Sequence, residues 1–564
     1  MLILGGVCMP SFFSKEYITA KTSYNRWLVP PAALAIHLSI GMAYGFSVFW
    51  KPLGNALIGQ DGKALAACSA GAATFADKLH GTLRALTATD CNWTQFDLGW
   101  MYTLFFVLLG CSAAFWGSWL ERAGPRKAGL VSTLCWCGGL LFSAFGIYTH
   151  QLWMMWLGSG VIGGIGLGLG YISPVSTLIK WFPDKRGMAT GMAIMGFGGG
   201  AMIGSPLATM LMTKFSTNIN GMTQPGIWQT FVVLAIIYTI FMISGSLGYR
   251  VPPSGWKPAG WNPPKNKNNN MISVNHVHLN KAHQTPQFWF LWIVLCMNVS
   301  AGIGIIGAAA PMLQETFGGA LIGHSDLGFA DLKKDESLLA LAAAVGAGFV
   351  GLISLFNIFG RFFWASISDK LGRKLTYIVF FTLGILMYLT ASYMTGSKSL
   401  ALFAACFCII ASMYGGGFAT IPAYLADMFG TQFVGAIHGR ILTAWSTAGI
   451  LGPVIVNYMH DMRVEAQVPF SEIYAPIFYI LASMLAIGFI ANLMVRPMDN
   501  KFFMTDKELL AEKKLAHEKF ISTKETIGKA ERTPLITFLA WSAVGVPISY
   551  GIWSTIQKAW ILFH

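Results

Sequence analysis

Gly117-Ser-Trp-Leu-Glu121-Arg122-Ala-Gly124-Pro-Arg126-Lys127 and Ser368-Asp369-Lys370-Leu-Gly372-Arg373-Lys374 carry one pattern twice: an acid, a base, a glycine, then further cations. An acid at a helix end, followed by a tight glycine turn bearing cations, makes a polar latch that can form and break. Outward from the first copy, apolar runs lie near 27–50, 97–119, 128–149, 152–181, 188–212 and 227–248. Outward from the second they lie near 288–313, 338–366, 375–394, 399–424, 435–459 and 474–495. Each copy follows the second run of its set, so the chain reads as an internal repeat of two six-helix halves. One further run, 535–556, stands apart from both.

Composition says where these helices sit. Of 564 residues, 54% are apolar, 14% aromatic and 11% charged, with mean hydropathy +0.56. A soluble protein carries about 25% charged residues. Forty Phe and 20 Trp leave too little polar surface to face water. A membrane-crossing helix needs roughly 20 apolar residues, and the chain offers such runs repeatedly. The fold class is therefore an all-α polytopic membrane protein, two six-helix bundles plus an extra C-terminal transmembrane helix. The net charge of +14 does not point to nucleic acid, because Lys and Arg lie mostly between the runs, as membrane topology requires.

With the N-terminus placed in the cytoplasm, 26 Lys and Arg fall on the inner loops and 9 on the outer ones, with Arg361, Arg440 and Lys558 left within helices. The positive-inside bias gives this orientation. It divides the chain into a cytoplasmic N-terminus (1–26), a first bundle (27–250) with an extracytoplasmic loop (51–96), and a central cytoplasmic loop (251–287). A second bundle (288–496), a cytoplasmic segment (497–532) and a thirteenth helix (533–564) follow. The short apolar start, MLILGGVC, lacks the basic flank of a signal peptide, so Cys8 is not read as a lipidation site. The nine cysteines show no metal-binding spacing. Cys68 and Cys91 share the outer loop, where oxidation pairs cysteines, and are a candidate disulfide. Asn92-Trp93-Thr94 matches the glycosylation triplet. The segment from Thr505 (TDKELLAEKKLAHEKF) opens with a Thr-x-x-Glu capping box and is expected to form a solvated helix.

The paired loops resemble the signature of the major facilitator superfamily between its second and third, and eighth and ninth, helices. Gly196-Phe-Gly-Gly-Gly200-Ala-Met-Ile-Gly204-Ser-Pro206 is similar to that superfamily's fifth-helix motif. Tyr171 with Lys180-Trp-Phe-Pro-Asp-Lys-Arg-Gly187, and Phe356-Asn357-Ile-Phe-Gly-Arg361-Phe-Phe-Trp364, resemble the oxalate/formate antiporter family more narrowly. The resemblance covers about 27–496. It implies a transporter rather than an enzyme, without a cofactor. In the paired loops, Glu121, Arg122, Gly124, Arg126, Asp369, Gly372 and Arg373 are read as gating residues.

Charge at membrane depth is scarce. No Asp or Glu falls in the middle of an apolar run; Asp97 and Asp427 sit at helix ends. Arg361 has apolar neighbours on both sides, and an intramembrane cation marks a functional site facing an anion. Arg suits two-pronged carboxylate binding, and Asn357, one turn away, is placed to orient it. The resemblance puts the family's carboxylate-binding arginine on Arg361 and its aromatic cage on Tyr44, Tyr171, Tyr414 and Phe418. The family's dicarboxylate-binding type has a second cation, a lysine, in helix 11. The matching position here is Trp445, which favours a monoanion over oxalate. Arg440, five residues before it and about 7.5 Å away along the helix, could replace that cation in part and is assigned to the gate. His37 in the first helix is a candidate proton carrier. Gly158-Ser-Gly160-Val-Ile-Gly163 satisfies GxGxxG, but inside an apolar run with no preceding strand it is not a dinucleotide site.

The expected function is exchange of small organic anions (formate, lactate, pyruvate or another monocarboxylate, with oxalate less favoured) by alternating access. The expected setting is a multi-pass plasma membrane protein, the bacterial inner membrane, acting as a monomer in the lipid bilayer. Two alternatives stand: a proton-coupled monocarboxylate symporter, and a non-transporting receptor or sensor on the same scaffold.

Overall fold

The computed structural model describes residues 3–4, 7–8, 17–60, 64–69, 75–219, 222–253, 255–261, 271–273, 275–397, 399–515, 527–528 and 533–559. Among them, 13 helices are long and apolar enough to cross a membrane. We number them α1 (Val29–Ile40, continued as a 3-10 turn through Gly41–Phe49), α2 (Gln95–Ala123), α3 (Pro125–Tyr148), α4 (Leu152–Trp181), α5 (Arg186–Lys214) and α6 (Ile227–Gly248). Then come α7 (Pro286–Phe317), α8 (Glu336–Leu371), α9 (Arg373–Ser397), α10 (Leu400–Phe429), α11 (Val434–Val464), α12 (Ala475–Met494) and α13 (Pro534–Ala559). Helices dominate because lipid offers no partner for backbone N–H and C=O groups, which must bond within their own segment. Prolines inside α4, α5, α7, α10 and α11 (Pro174, Pro206, Pro311, Pro422 and Pro453) each break one such bond, and are tolerated because neighbouring helices, Ser/Thr side chains and local adjustments of the turn take up the freed backbone groups.

Several helices outrun their apolar runs, because charged residues at their ends continue the turn. α2 runs to Ala123 and α3 starts at Pro125; α8 runs to Leu371 and α9 starts at Arg373. One glycine makes each reversal, Gly124 at φ 87° and Gly372 at φ 85°, a conformation that strains any residue bearing a Cβ. α7 likewise extends to Phe317, so Glu315 falls inside a helix that the apolar run ended at 313. Its carboxylate is buried and accepts from the Tyr474 hydroxyl (2.9 Å), with His460 Nε2 3.0 Å away. The GxGxxG string lies in a π-helical stretch of α4, Trp156–Gly163, which packs on α3.

Helices α1–α6 pack on one another, as do α7–α12. The two bundles meet chiefly where α5 runs along α8 and α2 along α11. Beyond the helices there are only short ladders among the described residues, such as Thr217–Ile219 antiparallel to Met222–Gln224 and Lys257–Pro258 parallel to Ile527–Gly528.

The loop between α1 and α2 is stapled by a Cys68–Cys91 disulfide. Asn92 beside it is 1% exposed. Its Nδ2 donates to Leu57 O (3.0 Å) and Leu65 O (2.9 Å), and its Oδ1 accepts from Leu57 N (2.8 Å). The amide is consumed as the loop's brace, so the folded chain does not present it as a glycosylation acceptor. His150 stacks on Trp93 with centroids 4.3 Å apart, and burial holds its pKa below the ordinary imidazole value.

Between α6 and α7 the chain passes beneath α10, where Val277 N donates to Phe429 O and Ser273 N to Asp427 O. The capping box at Thr505 starts a helix over Asp506–Leu515, whose Glu508 and Glu512 pair with Lys281 and His278 of that linker. The Asn-rich stretch 265–270 and residues 516–526 lie outside the described residues.

Candidate functional site

Arg361 is fully buried in α8. Its Nε donates to Asn357 Oδ1 at 2.9 Å, one turn back on the same helix, and its Nη1 to Ile194 O of α5 at 3.3 Å. Nη2 is buried and makes no hydrogen bond to a described residue. The guanidinium carbon stands 5.9 Å from the Phe197 ring centroid and 5.6 Å from that of Phe418. Such cation–π contacts contribute on the order of 1 kcal/mol each, far short of replacing the hydration of an ion. Close approach of the neighbouring helices makes this geometry possible. A Cβ on Gly198 would stand 3.0 Å from Arg361 Nε, and one on Gly415 would stand within 3.1 Å of Arg361 Cγ and closer still to the Asn357 backbone.

An aromatic cluster surrounds the guanidinium. Trp445 of α11 lies 4.5 Å from Phe418, 5.3 Å from Tyr171, 5.6 Å from Phe197 and 6.3 Å from Tyr44, centroid to centroid. Tyr44 Oη and Tyr414 Oη, from opposite bundles, are 3.3 Å apart. Tyr171 Oη and Trp445 Nε1 are buried without a partner. Three unanswered donors, one of them charged, thus share one aromatic enclosure. Among the described residues no carboxylate bonds the guanidinium, and the chemistry of this set suits an oxyanion, for which Arg offers a two-pronged face.

All seven residues expected here (Arg361, Asn357, Tyr44, Tyr171, Tyr414, Phe418 and Trp445) come together. Phe197 was missed, although it touches Tyr44, Tyr171, Trp445, His37 and Arg361. In sequence it is one apolar residue in a glycine run, with nothing to set it apart. His37 borders the cluster, stacked on Tyr171 at 5.3 Å. Its Nδ1 is 2.5 Å from Ala193 O and its Nε2 3.1 Å from Tyr171 O. A neutral imidazole donates to only one of these carbonyls, the imidazolium to both. His438 of α11, also missed, faces Tyr171 at 5.8 Å with both ring nitrogens buried and unpartnered.

The second polar centre lies at the end of the bundles that carries the glycine turns. Glu121 Oε1 accepts from Gly435 N, in the first turn of α11 (2.9 Å), while Oε2 pairs with Lys180 (2.5 Å). Asp369 accepts from Gly187 N (2.8 Å) and Met188 N (2.9 Å), in the first turn of α5, and pairs with Arg373 (2.6 Å). Each acid therefore caps a helix of the opposite bundle, where free N–H groups and the helix dipole both favour negative charge. Asp427 of α10 adds a bridge, bound by Arg186 (2.8 Å) and Arg373 (2.9 Å).

Three residues expected in the gate stand apart from these cross-bundle contacts. Arg122 is exposed. Arg126 turns inward to Leu247 O (3.0 Å), joining α3 to α6 within its own bundle, because Pro125 displaces it by one position. Arg440 binds the linker, donating to Leu279 O (2.8 Å) and lying 2.9 Å from His283 Nδ1.

Known proteins share this plan. The Major Facilitator Superfamily model matches residues 64–453 and, in a second match, 337–558. The chain belongs to the Major Facilitator Superfamily. It is a membrane transporter of that group. The Escherichia coli (strain K12) protein named "Uncharacterized MFS-type transporter YhjX" is 24% identical over 66% of this chain and 80% of its own length. The "Oxalate:formate antiporter" of Oxalobacter formigenes is 25% identical over 62% of this chain and 73% of its own. "Apicoplast pyruvate carrier 1" of Toxoplasma gondii is 24% identical over 61% and 66%. Among solved structures, the E. coli fucose:proton symporter FucP superposes with TM-score 0.53 at 12% identity, over 83% of this chain and 99% of that one, a likeness of fold alone.

Proposed function

We propose that this superfamily transporter exchanges small organic anions, monocarboxylates such as formate, lactate or pyruvate ahead of oxalate. It would work across a plasma membrane, with the glycine-turn end in the cytoplasm. The observation that carries the reading is Arg361: a fully buried guanidinium with an unpartnered Nη2 inside an aromatic enclosure. Two of the relatives are named for oxalate, formate or pyruvate, which supports the same class. Trp445 supports a monoanion, since the enclosure then offers one cation where a dianion calls for two.

Exchange follows from electrostatics. An unneutralised cation in low dielectric is costly, so the unloaded carrier resists reorienting and a bound anion removes the penalty. Anion binding between the bundles and rocking of the two halves about a midplane site then give alternating access.

His37 favours a second reading, proton symport. Only its imidazolium satisfies both carbonyls facing it, and a negative charge near Arg361 would help to offset that second cation.

The test is uptake of labelled formate, lactate, pyruvate and oxalate into proteoliposomes that are empty or preloaded with each partner, with Arg361→Gln in parallel. Uptake only into preloaded vesicles, lost in the variant, is expected. Equal uptake into empty vesicles with internal acidification would replace exchange by symport. No flux of any of the four would sink the substrate class.

A further inference from the structure

Helix α13 belongs to neither bundle, yet it is fastened to both. At its start, Asn25 Nδ2 donates to Thr533 Oγ1 (3.2 Å) and Thr537 Oγ1 (3.1 Å), and Trp541 Nε1 donates to Trp27 O (3.1 Å). Val544, 3% exposed, packs into a cluster with Leu34 and Ala35 of α1. This first stretch rides on the first bundle, at the glycine-turn end. The last turns do something different. A Cβ on Gly551 would stand 2.8 Å from Met202 of α5, and Ile552 packs against the cluster of Met202 with Leu355 and Ile358 of α8. Thr555, 8% exposed, sits over Gly351 of α8, whose missing Cβ would lie 3.2 Å from its methyl. The helix therefore crosses the α5–α8 seam at the level of Ile358, three residues from Arg361, and ends toward the face opposite the glycine turns. Most of its remaining surface (Leu535, Phe538, Leu539, Val546, Tyr550 and Trp553 among others) is exposed and apolar, as lipid requires.

The seam that α13 crosses is one along which the bundles of this transporter must part. α5 runs from the glycine-turn end to Lys214 at the far end, and α8 runs back from Glu336. Separating them at the far end pulls Gly351 and Leu355 away from Met202 and Ile203, and the last turns of α13 cannot stay with both. In lipid such helix contacts rest on close packing at small residues rather than on the hydrophobic effect, so they are weak enough to break in each cycle. We propose that α13 is a strap which restrains opening of the α5–α8 seam at the end opposite the glycine turns, weighting the resting carrier toward states closed on that side. The proposal rests on rocking of the two bundles and is independent of which anion is carried.

Spin labels at Lys214→Cys and Ser337→Cys, both exposed at the far ends of α5 and α8, read the separation directly by double electron–electron resonance, without substrate. Ending the chain at residue 532, or combining Ile552→Ala with Thr555→Ala in the full chain, is expected to raise the long-distance population roughly three- to tenfold, the scale of a single interhelical hydrogen bond in lipid. In a second full-length chain, a Gly351→Cys/Thr555→Cys disulfide is expected to deplete that population, and reduction to restore it. A double variant whose distance distribution matches the unaltered chain overturns the proposal. Because the double variant keeps the full chain, it decides the matter even if the truncated chain fails to fold.

Discussion

At the first glycine turn, Glu121 reaches across to one backbone N–H of α11 and takes its cation, Lys180, from α4. At the second, Asp369 reaches across to two N–H groups of α5 and takes Arg373 from the turn itself, and Arg373 is held in turn by Asp427, which also binds Arg186. The sequence difference behind this is one residue. Arg373 follows Gly372 directly, whereas Pro125 follows Gly124 and pushes Arg126 round to Leu247 O. A duplicated pattern thus yields two differently built latches, the second a four-residue network of Asp369, Arg373, Asp427 and Arg186 across the α5–α8 side. On the proposed alternating-access cycle, the cost of opening this end of the molecule would be unevenly divided between its two sides.

The largest effect is expected at Asp427. Asp427→Asn leaves Arg186 and Arg373, 12% and 7% exposed, with a neutral neighbour. Breaking a buried pair from one side costs about 3–5 kcal/mol, so opening of the glycine-turn end should rise by about a hundredfold or more. Spin labels at Arg122→Cys and Lys370→Cys, both exposed, would report it as a new long-distance population. A distribution like that of the unaltered chain would show that Asp427 does not hold the bundles together.

Asp369→Asn comes next. The amide keeps one acceptor for the α5 cap and loses the charge, a loss of about 2–3 kcal/mol for charge-assisted bonds. Population shifts of roughly thirty- to a hundredfold are expected on the same label pair. Glu121→Gln should fall below both, at about 1–2 kcal/mol, since Gln still accepts from Gly435 N and Lys180, 23% exposed, is better placed to recover hydration. If Glu121→Gln opens the end as far as Asp369→Asn does, the two latches are equal and the contrast fails.

How much of this could be read in advance depends on range. Helix order follows from composition alone, and the Arg361–Asn357 pair from i, i−4 spacing on one helix. The acids and glycines of both turns stand out because they repeat. What sequence could not show is pairing across the fold. Nothing local links Arg186 to Asp427, 241 positions away, or Lys180 to Glu121. Phe197 and Glu315 were hidden for different reasons. One is an aromatic whose importance comes only from the five groups it touches. The other sits just past an apolar run, in a turn that the helix adds once Tyr474 and His460 satisfy its carboxylate.

The smallest effect is the most discriminating. In Pro125→Arg the first turn acquires an arginine four residues after its acid, the spacing of Asp369 and Arg373. Pro125 occupies the first position of α3, whose N–H lacks a partner within the helix in any case, so the replacement should leave the fold intact. In the unaltered chain Glu121 already has Lys180, and a second cation adds less than about 1 kcal/mol, the value of a partly solvated pair. Alone, then, Pro125→Arg should barely move the label distances. In a Lys180→Ala chain the acid has lost that cation, and the new arginine should draw the glycine-turn end closed again by several fold. Rescue in that background, with near silence in the parent, would mean that the two turns differ by where their cation is stored. Absence of rescue would mean that the difference lies in the helix caps instead, Gly187 and Met188 against Gly435, and that the repeated cations matter for membrane topology rather than for the latch.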